Sequence, residues 1–427
     1  MSNIGVISLG CSKNRVDTEN MLGLLSASGH TIVQDPAIAD VLIVNTCGFI
    51  ESAKQESIDT ILEMAAYKQN GNCRTLVVTG CLSQRYREEL TSELPEVDIF
   101  LGVREYERLP GLLSGGKPCA AVAARRLTTP SYSAYLRIGD GCNNRCSYCA
   151  IPLIRGPLHS VPMPNLIEEA RALVDGGVTE LTLIAQDTSG YGVDLYGKPM
   201  LLKLMNELTK ISGLVWLRVL YTYPDTVTEE LIRGIADNEK ICRYLDIPLQ
   251  HVDDEILKRM HRRGSRAHIE SVLDFIRSRH PDFMLRTTMM TGFPGETQEQ
   301  HEDMLRFLRE YPFDRVGAFA FSPEEDTPAS LMREQLPEEV KQARLNALMA
   351  QQQGISRARN AARVGSTVTV LVENTNADMT RGRSYAEAPE VDGSILLPAK
   401  PHQKPGQYLR VKLTRAHNYD IFGEELS

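Results

Sequence analysis

Gly141-Cys142-Asn143-Asn144-Arg145-Cys146-Ser147-Tyr148-Cys149 places a C-x3-C-x2-C run directly after the strand-like stretch Tyr135–Ile138. Three soft thiolates this close in sequence reach three corners of one iron–sulfur cube. Gly141 and the two asparagines tolerate the left-handed turns that such a wrap requires. A structural zinc site is the competing reading; it needs a fourth ligand and usually a second nearby pair, and the sequence offers neither. A cube held by three thiolates leaves one iron open, and an open iron is a reaction site.

Outward from this run, strand-length apolar segments alternate with helical patterns from Ile4 to about Phe321, the signature of α/β architecture. The N-terminal side reads as strand Ile4–Leu9, helix Val16–Ser28, strand Val41–Asn45, helix Ile50–Ala66 and strand Thr75–Thr79. A helix at Gln84–Leu94 and a short strand Ile99–Leu101 complete an open parallel α/β domain over residues 1–117. Small and polar residues from Leu113 to Pro130 read as a linker. Residues 128–362 then carry six strand-helix repeats, with strands at Tyr135–Ile138, Glu180–Ala185, Val215–Tyr221, Tyr244–Ile247, Met284–Met290 and Arg315–Phe321. Six repeats suit a partial (β/α)6 barrel better than a full eight-unit one. Pro337–Arg363 reads as a long polar helix, and residues 364–427 as a small β-barrel domain of short strands and Gly/Asp turns.

Composition narrows the class. The 427 residues are 24% charged and 42% hydrophobic, which excludes wholesale disorder and collagen. No apolar run reaches the roughly 18 residues of a membrane span, and the first residues lack the basic and apolar regions of a secretory signal. Nine cysteines in such a chain point to a reducing, cytoplasmic setting where thiols ligate metal or lie buried. The net charge of −8 argues against a general nucleic-acid binder.

A second cysteine set is dispersed. Cys11, Cys47 and Cys81 follow three predicted strands, in Leu9-Gly10-Cys11, Asn45-Thr46-Cys47 and Thr79-Gly80-Cys81. The carboxyl ends of neighbouring strands in an open parallel sheet share one edge, so three such cysteines can converge there. The plain alternative is three unrelated buried thiols. Cys73, Cys119 and Cys242 share no such context and read as ordinary thiols.

The C-x3-C-x2-C run at the end of the first strand of a parallel (β/α) series resembles the radical S-adenosylmethionine superfamily. The resemblance implies that the open iron chelates S-adenosylmethionine and that one electron cleaves it to a 5′-deoxyadenosyl radical. It also implies cofactor contacts from Gly176, Gly177 and Glu180 and from the Gly292 to Gly295 loop. A helix C-cap would account for the first group, and a tight turn with helix capping for the second. Asp187 and Gln250 lie just beyond strand ends, where parallel barrels put active sites, and with Arg155 they are the candidate catalytic residues.

The order of parts, from three-cysteine α/β domain through radical core to β tail, resembles the methylthiotransferases over essentially the whole chain. That resemblance implies an auxiliary [4Fe–4S] cluster on Cys11, Cys47 and Cys81 beside the [4Fe–4S] cluster on Cys142, Cys146 and Cys149. One S-adenosylmethionine would supply a methyl group and a second the radical. A carbon radical needs its sulfur donor within a few ångströms and water kept away, which two open-iron clusters facing one cavity provide.

Within that family, Ser8-Leu9-Gly10-Cys11-Ser12-Lys13-Asn14-Arg15-Val16-Asp17, Leu220-Tyr221-Thr222-Tyr223-Pro224 and Leu245-Asp246-Ile247-Pro248-Leu249-Gln250-His251 resemble the branch (RimO type) that modifies an aspartate of a small-subunit ribosomal protein. In the tail, the stretch from Gly382 to Gly393 resembles the same branch, and the tail as a whole resembles a TRAM domain, a β module often linked to RNA binding. From Val364 on, seven Lys/Arg stand against eight Asp/Glu, a poor balance for gripping tRNA phosphates and a suitable one for docking a basic protein. Solvated surface charge is the plain alternative. The implied partners are the ribosomal protein, free or on an assembling ribosome, and a low-potential donor such as flavodoxin or ferredoxin. The other readings are a tRNA-adenosine methylthiotransferase and a non-enzymatic iron–sulfur protein that binds RNA or relays electrons. Val161 stands where the family usually has arginine, and valine lacks that residue's hydrogen-bonding fork.

Overall fold

The computed structural model describes residues 1–113 and 125–426. Cys119 and most of the expected linker lie outside the described residues. Contacts divide the chain into two compact units. The first comprises Met1–Pro130, Asp140–His159 and Ser322–Ser330; the second comprises Ser131–Gly139, Ser160–Phe321 and Leu331–Ser427.

The first unit is built on five parallel strands in the order β2-β1-β3-β4-β5. In chain order its elements are β1 (Asn3–Ser8), α1 (Ser12–Ala27), β2 (Thr31–Val33), β3 (Val41–Thr46), α2 (Glu51–Ala65), α3 (Tyr67–Asn70), β4 (Thr75–Gly80), α4 (Cys81–Arg85), α5 (Arg87–Glu93), β5 (Ile99–Phe100) and α6 (Leu109–Leu113). β3 is buried at all its positions because helices cover both faces of the sheet. Alternation sends Leu42 and Val44 to one face, against Ile61 and Met64 of α2. It sends Val41 and Ile43 to the other, against Met21 and Leu25 of α1.

Two expectations shift here. The single helix at Gln84–Leu94 is two helices broken at Tyr86, whose ψ of 34° is not helical. The first of them begins on Cys81 itself, because Gly80 at φ 100° lets the chain turn sharply off β4. The edge strand β2 escaped the reading; at three residues it is too short for alternation to show. Within the expected linker, Thr128 donates to Glu19 through its backbone N–H and its hydroxyl, and Arg125 pairs with the same carboxylate.

After β6 (Ser133–Arg137), the two-residue strands β7 (Gly139–Asp140) and β8 (His159–Ser160) bracket the cysteine run and α7 (Ile151–Arg155). The second unit continues with α8 (Met163–Asp175), β9 (Glu180–Ile184), α9 (Val193–Tyr196), α10 (Leu201–Leu208), β10 (Trp216–Val219), α11 (Glu229–Ala236), β11 (Tyr244–Asp246), α12 (Asp254–Arg259) and α13 (Arg266–Arg279). Then come β12 (Met284–Thr291), α14 (Gln298–Glu310), β13 (Arg315–Ala320) and the long α15 (Glu338–Ala361). The six core strands are parallel, as expected, but they form two three-stranded ladders, β6-β9-β10 and β11-β12-β13. β11 is only three residues long, so the seam to β10 is one isolated bridge, Leu217 to Ile241.

The tail is a closed five-stranded barrel of β14 (Thr367–Thr375), β15 (Met379–Arg383), β16 (Ile395–Pro398), β17 (Tyr408–Ala416) and β18 (Ile421–Glu425). Val370, Leu397, Val411 and Leu413 fill it. Leu371, Ala386 and Ala388 pack outside that core, on Tyr132, Trp216, Tyr244 and Met284 at the amino ends of the core strands. There Arg383 donates to both Glu180 oxygens at 3.0 and 2.7 Å, and Ser133 donates to Glu180 at 2.9 Å. Tyr244 donates to Asp392 at 2.6 Å. Burial alone would raise the Glu180 carboxyl, but Arg383 and then Arg218 outweigh it and bring its pKa down to about 2.

Candidate metal centre

In the first unit, Cys11 is the N-cap of α1, Cys47 follows β3, and Cys81 opens α4 directly after β4. β1, β3 and β4 are adjacent and parallel, so all three cysteines stand at one sheet edge. Asn14 ties that edge together. Its side-chain nitrogen donates to the carbonyls of Leu9 at 3.0 Å and Thr46 at 2.9 Å, and its oxygen accepts from Cys81 Sγ at 3.5 Å. Ser57 clamps Cys47, accepting from its backbone N–H at 3.0 Å and donating to its carbonyl at 2.9 Å.

Glycines make the close approach feasible. A Cβ on Gly10 would stand 2.9 Å from Cys47, and one on Gly48 would stand 2.7 Å from the backbone of Leu82. A Cβ on Gly80 would strike Asn45 and Thr46. The three thiols differ in exposure, Cys11 being open, Cys47 half-buried and Cys81 buried. Burial pushes the Cys81 thiol up to about 12, and the Arg155 guanidinium opposes that shift. Burial likewise raises the Cys47 thiol.

The contiguous run belongs to the same unit. Gly141 takes φ 74° and lies so close to the carbonyls of Gly156 and Pro157 that no side chain fits. The loop is stitched by Cys142 N–H to Gly156 at 3.1 Å, Cys149 N–H to Cys146 at 3.1 Å and Ala329 N–H to Ser147 at 2.8 Å. Cys142, Cys146 and Cys149 are all half-buried, and Cys142 lines an open cleft of about 440 Å³ with Asn143, Arg145, Pro152 and Pro157. Cys81 packs with Ala150 and Ile154, one and five residues beyond Cys149, so the two triads share a wall. Among the described residues no three His, Cys, Asp or Glu side chains close on a single metal ion. A four-iron cube spreads its thiolates wider than one ion does. The donor set of soft thiols with glycine-lined backbone at both triads fits such a group.

Arg155 was a catalytic candidate, and its surroundings are specific. Its guanidinium donates to Asn14 Oδ1 at 2.7 Å, Asp17 at 3.1 Å and Asp140 at 3.0 Å, and lies 3.6 Å from Cys81 Sγ. Burial works against its charge, but Cys81, Asp17 and Asp140 outweigh burial and hold its pKa above the ordinary value. Asn14, Ser57, Asp17 and Asp140 escaped the sequence reading. A signal existed for two of them, since Asn14, Asp17 and Thr18 share one face of α1 and a polar stripe on a buried helix face needs partners.

In the second unit, Asp187 and Gln250 lie beyond the carboxyl ends of β9 and β11, and Gly292 and Gly295 follow β12. Asp187 accepts from Ser189 Oγ at 2.5 Å and Gly190 N–H at 3.2 Å. Gln250 holds φ 72°, rare for a residue with a side chain, and its buried Oε1 has no hydrogen-bond partner among the described residues. Its neighbour His251 is buried and pushed down to about 3, by burial first and then by His301. The Gly292 loop is closed by Glu296, which accepts from the N–H groups of Gly292 and Phe293. Burial raises the Glu296 carboxyl to about 6 against the pull of Arg344. Thr297 and Gln300 then form a capping box for α14, so turn and capping chemistry accounts for this motif.

Gly176, Gly177 and Glu180 do not join these groups. They sit at the amino end of β9, the opposite end from Asp187. Gly177 at φ 105° closes α8, donating to Val174 while Val178 donates to Leu173, the hydrogen bonding of a helix C-cap. Glu180 spends its carboxylate on Arg383, Ser133 and Arg218. The expected cofactor contact is therefore replaced by a cap and a buried clasp. At Val161 the backbone is held on both sides, donating to Ile138 and accepting from Tyr191 Oη. Cys73 and Cys242 are buried, as ordinary thiols would be.

Three family models match the chain: the uncharacterized protein family UPF0004 over residues 3–102, the radical SAM superfamily over 136–308 and a TRAM domain over 364–425. The ribosomal protein uS12 methylthiotransferase RimO of Clostridium botulinum (strain Eklund 17B / Type B) is 46% identical, over 98% of this chain and 97% of the relative. The enzyme of the same description from Thermoanaerobacter sp. (strain X514) is also 46% identical, over 99% of this chain and the whole of the relative. The chain belongs to the ribosomal protein uS12 methylthiotransferase family. Among solved structures, the radical S-adenosylmethionine methyltransferase TsrM from Kitasatospora setae aligns with a TM-score of 0.56 at 14% identity over 77% of each chain. The cobalamin-dependent S-adenosylmethionine radical enzyme OxsB aligns with a TM-score of 0.53 at 11% identity, over 83% of this chain and 56% of that one. These two likenesses concern the fold. Members of this family are radical S-adenosylmethionine transferases that work with iron–sulfur clusters, and this chain is one of them. No described helix is long and apolar enough to cross a membrane.

Proposed function

We propose that this chain methylthiolates the β-carbon of an aspartate in ribosomal protein uS12, acting in the cytoplasm with electrons from a low-potential donor such as flavodoxin or ferredoxin. The observation that carries the reading is the pairing of similarity to uS12 methylthiotransferases, 46% identity over 98% of the chain, with two cysteine triads in one compact unit. We assign Cys142, Cys146 and Cys149 to the cluster that binds S-adenosylmethionine, and Cys11, Cys47 and Cys81 to the auxiliary cluster. When bound, these groups supply a hydrogen-abstracting radical and a sulfur carrier. We read residues 1–117, 128–362 and 364–427 as the auxiliary-cluster, radical and TRAM modules.

The protein's own contribution is placement. Asn14 and Ser57 hold the strand ends that present Cys11, Cys47 and Cys81, and the Gly141 turn orients the contiguous run. Gln250, whose buried amide oxygen has no partner among the described residues, and Asp187 are the candidates for polar contacts at the carboxyl ends of the core strands. Incubating the reconstituted chain, reductant and S-adenosylmethionine with uS12 and, separately, with tRNA tests the reading. The expected outcome is a mass gain of one methylthio group on uS12 and about eight iron atoms per chain. Modification of tRNA alone refutes it, and absence of S-adenosylmethionine cleavage with both clusters intact refutes enzymatic function altogether.

A further inference from the structure

We propose that Arg155 is a positioning residue that braces the two cysteine triads against each other and raises the reduction potential of the cluster on Cys11, Cys47 and Cys81. The proposal rests on assigning that triad to a cluster, and extends it by giving a tuning role to a side chain that ligates nothing.

The geometry singles out this arginine. It ends α7, six residues beyond Cys149, and is 3% exposed. One arm of its guanidinium bonds Asp140, two residues before Cys142. The other arm bonds Asn14 and Asp17, three and six residues beyond Cys11, and reaches Cys81 Sγ at 3.6 Å. A single buried cation on the C-terminal side of the contiguous run therefore reaches its N-terminal flank at Asp140, and in the dispersed set reaches α1 behind Cys11 and the strand end that carries Cys81. Arg104 donates to the Arg155 carbonyl at 3.2 Å and fixes the end of α7 as well. Only a planar fork serves partners on two sides at once; a lysine ammonium would have to choose.

The consequence is electrostatic. Reducing an iron–sulfur cluster adds a negative charge, and net charge and hydrogen bonds at the sulfurs set the potential at which that occurs. A guanidinium within reach of a ligating sulfur, shielded from water, favours the reduced form. Asp17 and Asp140 oppose it, and Arg104 pairs with Asp140 at 3.6 Å, so the potential reflects a balance in which Arg155 is the positive member that touches a ligating sulfur.

The test uses the reconstituted full-length chain carrying Cys142→Ala, Cys146→Ala and Cys149→Ala, so that its iron reports on the dispersed triad alone. The midpoint potential is read by dithionite titration followed by electron paramagnetic resonance. Adding Arg155→Met is expected to move it to a more negative value at unchanged iron content. Arg155→Lys, which keeps the charge without the fork, should move it less in the same direction. Asp140→Asn should move it the opposite way, a reversal that a merely structural role would not produce. An unmoved potential in Arg155→Met with iron retained overturns the proposal. If that variant fails to fold, an unmoved or more negative potential in Asp140→Asn overturns it instead. Absence of iron from the parent triple variant overturns the cluster assignment itself, and the proposal with it.

Discussion

Cys81 and Glu180 are both buried polar groups at the end of a parallel strand, and each has an arginine beside it, yet they are built for opposite purposes. The Glu180 carboxylate receives two bonds from Arg383, one from Ser133 and one from Arg218. Its capacity as an acceptor is used up, and nothing remains to bind a ligand. The Cys81 sulfur has as polar neighbours the Asn14 oxygen at 3.5 Å and the Arg155 guanidinium at 3.6 Å, both long contacts to a soft atom. A group whose neighbours saturate it is a clasp; one whose neighbours merely steer it is available for chemistry.

That contrast can be broken most forcefully at the cysteines. Replacing Cys142, Cys146 and Cys149 together by alanine should abolish S-adenosylmethionine cleavage and remove about half the iron. The same change at Cys11, Cys47 and Cys81 should abolish methylthiolation but leave cleavage in place. Iron assays and chromatography of 5′-deoxyadenosine check both. Equal loss of cleavage in the two variants would remove the distinction between the triads.

On the clasp side, Glu180→Gln removes the buried carboxylate that Arg383 and Arg218 share, leaving Arg383 paired with Glu373 alone among the described carboxylates. Breaking a buried pair in this way costs about 3–5 kcal/mol. Denaturant unfolding should show that loss while iron content in the first unit is kept. Acid should act through the same group and through Glu387, which burial would raise but Arg363 brings down to about 2. A carboxyl whose folded pKa lies below its unfolded value stabilises the fold above the unfolded value, about 4.3, and loses that contribution as pH falls towards 2. Melting temperature should therefore fall across that window, and less steeply in Glu180→Gln.

At the cysteine end the supports are neutral, so the effects are smaller. Asn14→Ala strips the buried Thr46 carbonyl and the half-buried Leu9 carbonyl of their donor, and the buried group left unsatisfied costs about 1–3 kcal/mol. The same variant should also load less iron on the dispersed triad than on the contiguous one. Ser57→Ala removes the clamp on Cys47 and should cost about 1 kcal/mol in unfolding experiments. A larger loss there than in Glu180→Gln would reverse the ranking of clasp over support.

Much of this was legible in the letters. Apolar runs such as Val41–Thr46 mark central parallel strands, because a strand buried on both faces needs no alternation. Gly80-Cys81 already promised a cysteine at a strand end. The Gly176-Gly177 motif misled because a helix C-cap and a backbone contact to a ligand require the same residue for the same reason, its freedom at positive φ. Glu180 misled because its partner Arg383 is 203 residues away, and nothing local announces a pairing of that separation.

Sequence by itself determined the α/β class, the longer parallel strands, the contiguous cysteine run and the family. The first three rest on local periodicity and spacing, which neighbouring residues carry without help from the rest of the chain, and the family rests on the resemblance of whole motifs and their order. Only the tertiary structure decided which polar groups are spent and which remain available. It set Asn14 across two strand ends, lodged Arg155 between the triads and locked Glu180 to the tail. Burial and partnership arise between segments far apart in the chain, and a side chain's chemistry is decided by what surrounds it.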